Sequence, residues 1–458
     1  MENTEIREAA SGDGSGPLKY SYRSIWKVAY PILVSLVMEQ MIGMTDTAFL
    51  GRVGEIELGA SAIAGIYYMV IFMVGFGFSL GAQIMIGRRN GERNYRETGK
   101  IFWHGVYFLL FLAVIVIALS EAFSPWLMSR MVSSENIYSA AMSYVRYRIT
   151  GLFFAFITAM FRAFYVGTVQ TRTLTLNSVV MVLSNVCFNW ILIFGKFGIP
   201  ALGIAGAAIG STLSELVSLI FFIVYTIRKC DRRKYGLDAP ARFEWKELGS
   251  IMKVSVWTMV QNFLSLATWF IFFLFVEHLG ERALAISNIV RNVSGLIWMV
   301  LMAFASTGST LVANMVGHGR QNSVMSLLKR ILKLSYGIII LVILLFCVIP
   351  ESIIGIYTDL PDLIHASVPA MLVMATSYLV STAAMVFFQA VSGTGNTKTA
   401  FYLELVALTV YTFYCWLVIL HLKSDIAVCW TAEYVYAAVM LVICGGYMIS
   451  GKWKNKKI

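Results

Sequence analysis

Two carboxylates lie inside the first long apolar segment of the chain. Glu39 and Asp46 are the only acidic residues between Trp26 and Leu50. They are seven positions apart, so a helix returns their side chains to nearly the same face after two turns. Because an ionisable residue inside a membrane-spanning helix marks a functional site by default, the pair predicts one shared cavity. The alternative is that Asp46 lies near the helix end and reaches the water at the headgroups.

Amide and hydroxyl groups occur in the fifth and sixth apolar runs. Asn185 and Asn189 are spaced i, i+4, which places both amides on one face of a helix. Ser211 and its neighbour Thr212 add hydroxyl oxygens. With Asp46 these groups form a set of hard oxygen ligands suited to Na⁺, or a network that holds a proton on the carboxylate. Hydrogen bonding between helices, worth about 0.6 to 2 kcal/mol for such residues, explains the same groups equally well.

Other polar and aromatic side chains at membrane depth are weaker candidates for a substrate cavity. Aromatic rings stack on flat cations, and the 23 methionines of the chain would let a cavity adapt its shape. Arg291 and Glu433 lie at similar depths, so we expect a buried ion pair between them in the second half of the chain. The candidates for substrate contact are Glu39, Tyr67, Tyr68, Gln261, Asn262 and Arg291.

The composition places these groups in a membrane. Of the 458 residues, 58% are hydrophobic and 13% are charged, whereas about a quarter are charged in a typical globular domain. Twelve apolar runs are each long enough, at about 20 residues, to cross a hydrocarbon core. The sequence therefore predicts an all-α integral membrane protein with about twelve transmembrane helices. Its six cysteines show no CxxC or Cys/His spacing, so neither a disulfide framework nor a zinc site is expected.

The net charge of +11 comes from short basic clusters between the apolar runs. Such clusters orient membrane proteins by the positive-inside rule, so they do not indicate binding to nucleic acid. With twelve spans, all of these clusters lie on the same side of the membrane as the N-terminus. Both termini are therefore predicted to be cytoplasmic, and the protein is predicted to lie in the cell (inner) membrane. The first 25 residues are polar, so the first spanning helix is expected to direct insertion.

An internal repeat divides the chain into two halves. A shift of 226 residues aligns Gly54-Glu55 with Gly280-Glu281, and Trp190 with Trp416. Six helices repeated in the same membrane orientation imply two pseudo-symmetric lobes with a central cavity. The predicted divisions are a cytoplasmic tail (1–25), a first lobe (26–227), a cytoplasmic linker (228–250), a second lobe (251–450) and a basic cytoplasmic tail (451–458).

No stretch of the sequence is a convincing nucleotide-binding motif. The run from Gly393 to Thr399 is only faintly similar to a phosphate loop, because it lacks the Gly-Lys pair and follows a helix. Its repeat partner, from Gly167 to Thr173, has no phosphate signature, so both are interpreted as turns. Uphill movement of a substrate must then draw on an ion gradient. We expect Na⁺ or H⁺ as the coupling ion, no ATP, no other cofactor, and a monomer surrounded by membrane lipid.

Several short stretches carry a resemblance to a known family. They are Pro31 with Asp46 to Gly51, Ala82 to Gly87, Gly167 to Thr173, Asn185 to Asn189, Phe194 to Pro200 and Gly203 to Ala208. On these stretches the chain resembles the multidrug and toxic compound extrusion (MATE) transporters from about Ser24 to Lys454. The resemblance implies two six-helix lobes arranged as a V, and efflux of organic cations and other amphiphiles in exchange for Na⁺ or H⁺. It also implies that the coupling cation binds to Asp46, Asn185, Asn189 and Ser211.

The chain departs from the family pattern in its second half. Asn262 and Ser381 stand near positions where one branch of the family has acids, so we expect coupling to rely on the first lobe. Asn189 stands where some members of the family have Asp, so both Na⁺ and H⁺ remain candidates for the coupling ion. The alternative function is a flippase for a lipid-linked saccharide, which would need a cavity rich in Arg and Lys, whereas Arg291 is the main cation at cavity depth. An integral-membrane enzyme would need clustered His, Asp or Glu, but the five histidines are scattered.

Overall fold

Twelve helices in the described part of the chain are long and apolar enough to cross a membrane. The computed structural model describes residues 20–132, 134–358 and 360–454. The predicted all-α class and the number of helices are confirmed. The helices are α1 (Tyr22–Leu50), α2 (Glu55–Gly91), α3 (Tyr95–Met131), α4 (Glu135–Gly167), α5 (Arg172–Phe194), α6 (Gly203–Lys229), α7 (Trp245–Glu277), α8 (Glu281–Gly317), α9 (Gln321–Val348), α10 (Pro361–Gly393), α11 (Thr397–His421) and α12 (Ile426–Ser450).

The internal repeat reappears in the bounds of the helices. α2 and α8 each have 37 residues, α4 and α10 each have 33, and in both pairs the second helix begins 226 residues after the first. The same shift aligns α1 with α7, where Ser24-Ile25 matches Ser250-Ile251 and Lys27-Val28 matches Lys253-Val254. These matches fix the register in which the two halves are compared below.

Two compact units make up the described chain. The N-unit comprises Val34–Val260, and the C-unit comprises the described residues up to Leu33 together with those from Gln261 onward. The divisions fall inside α1 and α7, so the first turns of α1 belong to the C-unit, where the rings of Trp26 and Phe304 lie 6.3 Å apart. The lobes predicted from the sequence instead begin within the first turns of these two helices, at residues 26 and 251, and that division stays a prediction.

Many large apolar side chains are exposed along the helices. Val442, Leu183 and Phe111 are 72%, 66% and 64% exposed, respectively. Apolar surface on this scale is unfavourable in water and favourable in hydrocarbon, where helices satisfy their backbone hydrogen bonds internally. The exposed faces therefore agree with a multi-pass membrane protein.

A buried cluster of small and aliphatic side chains surrounds the end of α1. Leu50, the last residue of α1, is 1% exposed and belongs to a cluster with Ala60 of α2 and Ala207 and Ala208 of α6. Small side chains let neighbouring helices approach closely. Because Leu50 lies one turn beyond Asp46, this packing fixes the depth and the direction of the Asp46 carboxylate.

Candidate functional site

Four polar side chains of the N-unit form a closed circuit of hydrogen bonds, named here the Asp46 cluster. It contains Asp46 of α1, Asn185 and Asn189 of α5, and Ser211 of α6. The Asn189 amide donates to Asp46 Oδ1 at 2.5 Å and to Asn185 Oδ1 at 3.2 Å. The Asn185 amide donates to Ser211 Oγ at 3.2 Å, and the Ser211 hydroxyl donates to Asp46 Oδ2 at 3.1 Å. The structure thus brings together the four residues that were predicted for ion coupling.

The members of the Asp46 cluster differ in their access to the outside of the protein. Asn185 and Asn189 are 0% exposed and Ser211 is 4% exposed, whereas Asp46 is only half-buried. An ion that approaches this cluster therefore meets the carboxylate first and the amides behind it.

Two glycines of α6 allow this helix to approach α5 closely. Gly206 lies against the backbone of Leu192, and Gly210 lies against the side chain of Asn189, so that a Cβ atom on either glycine would overlap its neighbour. A Gly-x₃-Gly spacing on one helix face is a common means of close helix packing in membranes. Because Ser211 follows Gly210 directly, this approach brings its hydroxyl into the Asp46 cluster.

One oxygen of the cluster has no hydrogen-bond partner among the described residues. It is Asn189 Oδ1, which is buried. An amide presents either N–H or C=O to a neighbour, depending on its rotation about the last side-chain bond. In the structure the Asn189 amide and the Ser211 hydroxyl donate to Asp46, which suits an ionised carboxylate stabilised by hydrogen bonds. With its carbonyl oxygens and the Ser211 hydroxyl turned inward, the same cluster has the hard oxygen ligands that a small cation prefers.

A buried ion pair lies one turn along α6 from Ser211. Arg148 of α4 donates two hydrogen bonds to Glu215, at 2.9 Å and 2.6 Å. The Arg148 guanidinium also lies 3.8 Å from the ring centroid of Tyr68, whose hydroxyl donates to Glu215 at 3.1 Å. The face of Tyr68, predicted to stack on a substrate, is therefore covered by a cation of the protein itself.

This arginine was missed from the sequence. The prediction that Arg291 is the main cation at cavity depth is wrong, because Arg148 lies in the middle of α4 and its side chain is 12% exposed. The signal was available: Arg148 is a basic residue within the fourth apolar run, and Glu215 is an acid within the sixth. Each of them needs a partner at that depth.

A second polar group of the N-unit, the Glu39 cluster, comprises Ser35, Glu39, Ser178 and Arg162. Glu39 accepts a hydrogen bond from Ser35 at 3.2 Å and forms an ion pair with Arg162 of α4. The Ser35 hydroxyl lies 2.8 Å from that of Ser178 on α5. Within the part of the chain that the structure describes, Glu39 and Asp46 therefore share no hydrogen-bond partner. The Glu39 side chain is 43% exposed, which leaves its carboxylate accessible.

Other polar groups of the N-unit join neighbouring helices. The Tyr67 hydroxyl donates to Ser120 of α3 at 2.8 Å, and Ser218 of α6 donates to Asn177 of α5 at 3.0 Å. Thr212 donates to a backbone carbonyl of α4 at 3.4 Å and does not enter the Asp46 cluster. For these residues the structure supports the interpretation as interhelical hydrogen bonds.

Two amides predicted to line a cavity are adjacent on α7 in the C-unit. Gln261 is 8% exposed, and its Oε1 has no partner among the described residues. Asn262 is half-buried. The two neighbours therefore differ in burial, as adjacent positions on a helix do when one side of it is packed.

The predicted ion pair between Arg291 and Glu433 is wrong. The Arg291 guanidinium lies 5.4 Å from the ring centroid of Phe273 and 5.9 Å from that of Trp269. Glu433 instead accepts a hydrogen bond from the Tyr411 hydroxyl at 3.3 Å. Arg291 and Glu433 lie at similar depths but do not form a pair, because the direction in which each side chain leaves its helix also decides its contacts.

Comparison with known families gives a match in both halves of the chain. A family model described as MatE matches residues 31–191 and 258–417. The two segments have nearly equal lengths and begin 227 residues apart, which agrees with the internal repeat.

Individual proteins are also similar to this chain over nearly its whole length. It is 25% identical over 446 residues to a probable multidrug resistance protein NorM of Thermotoga maritima, covering 95% of this chain and 94% of that protein. It is 22% identical to a probable multidrug resistance protein YoeA of Bacillus subtilis, covering 96% of each. A solved structure of a MOP superfamily transporter from Pyrococcus furiosus has a TM-score of 0.86 at 16% identity, covering 98% of both chains. That likeness shows a shared fold.

Proposed function

This chain belongs to the MatE family of membrane transporters, and from that premise we propose that it is a secondary active antiporter. It exports organic cations and other amphiphilic drugs in exchange for Na⁺ or H⁺. The names of its similar relatives, which are probable multidrug resistance proteins, support the class of substrate. The observation that carries the coupling mechanism is the closed Asp46 cluster, in which one carboxylate is surrounded by groups that can both donate and accept.

The coupling ion binds at Asp46 in this proposal. A bare carboxylate is costly at membrane depth, so it is most stable as a neutral acid or paired with a cation. The buried amides of Asn185 and Asn189 serve both the empty and the filled state. Asn189 donates to the bare carboxylate and Asn185 donates to Ser211, which in turn donates to Asp46, whereas the amide carbonyl oxygens can bind a cation or accept the proton of the acid. No cofactor other than the coupling ion is required.

Ion binding drives transport through a difference in affinity between two conformations. Filling the site removes the charge penalty at Asp46 and lets α1 repack against α5, which narrows the cavity and expels the drug. The ion can shift the equilibrium between the two conformations only to the extent that it binds one of them more tightly than the other. An inversion of their populations from 1:99 to 99:1 needs about 5.5 kcal/mol.

Substrate charge is recognised at Glu39 in this proposal. Its carboxylate is partly exposed and is paired with Arg162, which an organic cation can displace. Glu39→Gln is therefore expected to weaken drug affinity while the ion dependence of transport persists. The other candidates for substrate contact, Tyr67, Tyr68, Gln261, Asn262 and Arg291, remain predictions.

The test uses everted membrane vesicles that contain the full-length protein and a fluorescent cationic drug. Na⁺ and H⁺ gradients are imposed separately. Asp46→Asn mimics a permanently neutral site, so it should insert and fold but lose gradient-driven transport under both gradients. Transport at the parental rate under both gradients would reject the assignment and favour the interpretation that Asp46 only reaches headgroup water.

A matched pair of amides on α5 provides the control. Asn189→Ala removes a member of the Asp46 cluster and should impair coupling. Asn177→Ala removes an amide of the same helix that is bonded to Ser218, and it should leave the ion dependence unchanged. Equal effects of the two substitutions would indicate a loss of helix packing rather than of an ion site.

The remaining parts of the proposal concern the membrane and the assembly. Both termini and the linker between α6 and α7 are cytoplasmic, and the transporter acts as a monomer. The flippase alternative is not favoured, because the similar relatives reported above are named probable multidrug resistance proteins.

A further inference from the structure

The C-unit contains a polar cluster at positions that match the Glu39 cluster of the N-unit. The 226-residue shift gives three matched pairs, which are Ser35 with Gln261, Glu39 with Ser265, and Ser178 with Glu404. Both halves thus have one acid at this place, but in the second half it lies on α11, the counterpart of α5, instead of on α7, the counterpart of α1. We name Gln261, Ser265, Glu404 and Tyr436 the Glu404 cluster.

The cluster has three hydrogen-bond contacts and only two hydroxyl hydrogens to make them. Ser265 Oγ lies 2.6 Å from Glu404 Oε1 and 2.8 Å from the backbone carbonyl oxygen of Gln261. Each contact has the geometry for Ser265 as the donor, yet a hydroxyl has a single hydrogen. That single hydrogen must be shared between the two acceptors while Glu404 is ionised, whereas a proton on Glu404 that is donated to Ser265 lets each contact be a full hydrogen bond. The Tyr436 hydroxyl donates to the same carboxyl oxygen at 3.3 Å and does not supply the missing hydrogen.

The second half also lacks the cation that compensates the acid in the first half. Glu39 pairs with Arg162, and the position that matches Arg162 is Phe388 on α10. Glu404 is 3% exposed, forms no ion pair with any described residue, and leaves Oε2 without a hydrogen-bond partner among them. A bare carboxylate in this position would be a buried and uncompensated charge, which is far more costly than a buried carboxylic acid.

The titratable groups around the cluster offer no compensation either. The Tyr436 ring lies 5.9 Å from the ring of Tyr411, which donates to a second acid, the half-buried Glu433. Among the described residues, no cation faces either acid. The titratable groups are Tyr436 and Cys444 at Glu404, and Tyr378, Tyr411, Cys415 and Tyr436 at Glu433.

We propose that Glu404 is a proton-binding site of the C-unit, which exchanges its proton with water past the hydroxyl of Tyr436. Tyr436 is half-buried, whereas Glu404 is buried, so Tyr436 marks the side from which water reaches the acid. When the proton leaves to water, the Ser265 hydrogen turns from the Gln261 carbonyl to the carboxylate, and Tyr436 continues to donate. The step needs no other reactant. It uses α7, α11 and α12, and is therefore distinct from ion binding at Asp46.

Infrared difference spectroscopy on the purified full-length protein in lipid tests this proposal at neutral pH. The parent is expected to show a C=O stretching band of a protonated carboxylic acid that is absent from Glu404→Gln. Glu39→Gln is the matched control, because Glu39 is paired with Arg162, and this substitution should remove carboxylate bands instead. Loss of carboxylate bands in Glu404→Gln would overturn the proposal.

A second variant keeps the test decisive if Glu404→Gln fails to insert. Tyr436→Phe retains the aromatic ring and removes one hydrogen bond to Glu404, so the wavenumber of the acid band should change. An acid band that is absent from the parent, or that is unmoved in Tyr436→Phe, would reject the site. The measurement reports protonation without transport, so its outcome is independent of whether Asp46 couples an ion to a drug.

Discussion

The ring of Tyr411 packs against the ring of Phe272, with centroids 6.4 Å apart. Under the 226-residue shift, these two positions match Asn185 and Asp46. Trp430 packs on the same Phe272 ring at 5.2 Å. In the C-unit, an aromatic contact thus stands where the N-unit has its candidate ion site. The repeat retains the packing of these helices and changes the chemistry between them.

We predict that Phe272→Leu leaves the ion dependence of transport unchanged. The substitution removes the ring contacts of Phe272 with Tyr411 and Trp430, each worth about 1 kcal/mol, so it should lower thermal stability. Efflux from vesicles under separate Na⁺ and H⁺ gradients measures the first effect, and the melting temperature of the purified protein measures the second. A roughly tenfold change in the ion concentration for half-maximal efflux would show that this position takes part in coupling.

Gly210→Ala is expected to weaken coupling by displacing the Asn189 amide. The new methyl group overlaps that side chain, so the ion affinity should fall by roughly tenfold, or about 1.4 kcal/mol. Isothermal binding measurements with Na⁺, or efflux at graded ion concentrations, give this value. Gly59→Ala on α2 is the control, because a Cβ there meets no atom within 4 Å. Parental ion affinity in Gly210→Ala would mean that the position of the Asn189 amide does not matter.

The sequence predicted those parts of the site that depend on spacing along one helix. Asn185 and Asn189 share a face because they are i, i+4, and Asp46 stood out as an acid at membrane depth. Contacts between helices were harder to predict, because depth alone does not give the direction of a side chain. Arg148 was therefore overlooked, and Arg291 was assigned a partner that it does not contact.

The number of helices was predictable for a different reason. An apolar run of about 20 residues has few stable structures in a membrane other than a spanning helix, so composition decides. The extent of the compact units was not predictable in the same way. It depends on which turns of α1 and α7 pack together with other helices, and the apolar runs do not encode this.

The orientation in the membrane can be tested by cysteine labelling. Cys187 and Cys347 are exposed and must first be replaced by Ser. Burial raises the pKa of the Cys230 thiol to about 11, so its thiolate fraction is small near neutral pH and rises only as the pH approaches that value. Cys230 should therefore stay largely unlabelled by a membrane-impermeant maleimide.

In that background, Asp238→Cys and Arg52→Cys form a matched pair. Both positions are exposed, in the linker between α6 and α7 and in the turn between α1 and α2, respectively. With cytoplasmic termini, only Arg52→Cys should be labelled in intact cells, and Asp238→Cys should be labelled after the membrane is opened. The reverse pattern would place both termini outside.

Arg148 and Glu215 form a buried pair in which each charge compensates the other. Arg148→Met leaves Glu215 buried without a cation, and breaking such a pair costs about 3 to 5 kcal/mol. The double variant Arg148→Met, Glu215→Leu removes both charges, and methionine is the residue that stands at the position matching Arg148, Met374. It should recover most of the lost stability, since apolar replacement of a whole buried pair is often neutral or stabilising. Melting temperatures of the parent, the single and the double variants provide the comparison. Because the pair has no net charge, the double variant should also retain an ion affinity at Asp46 within about tenfold of the parent. If the double variant is as unstable as the single one, the pair stabilises the contact between α4 and α6 through its hydrogen-bond geometry. Charge balance alone would then not explain the stabilising effect of the pair.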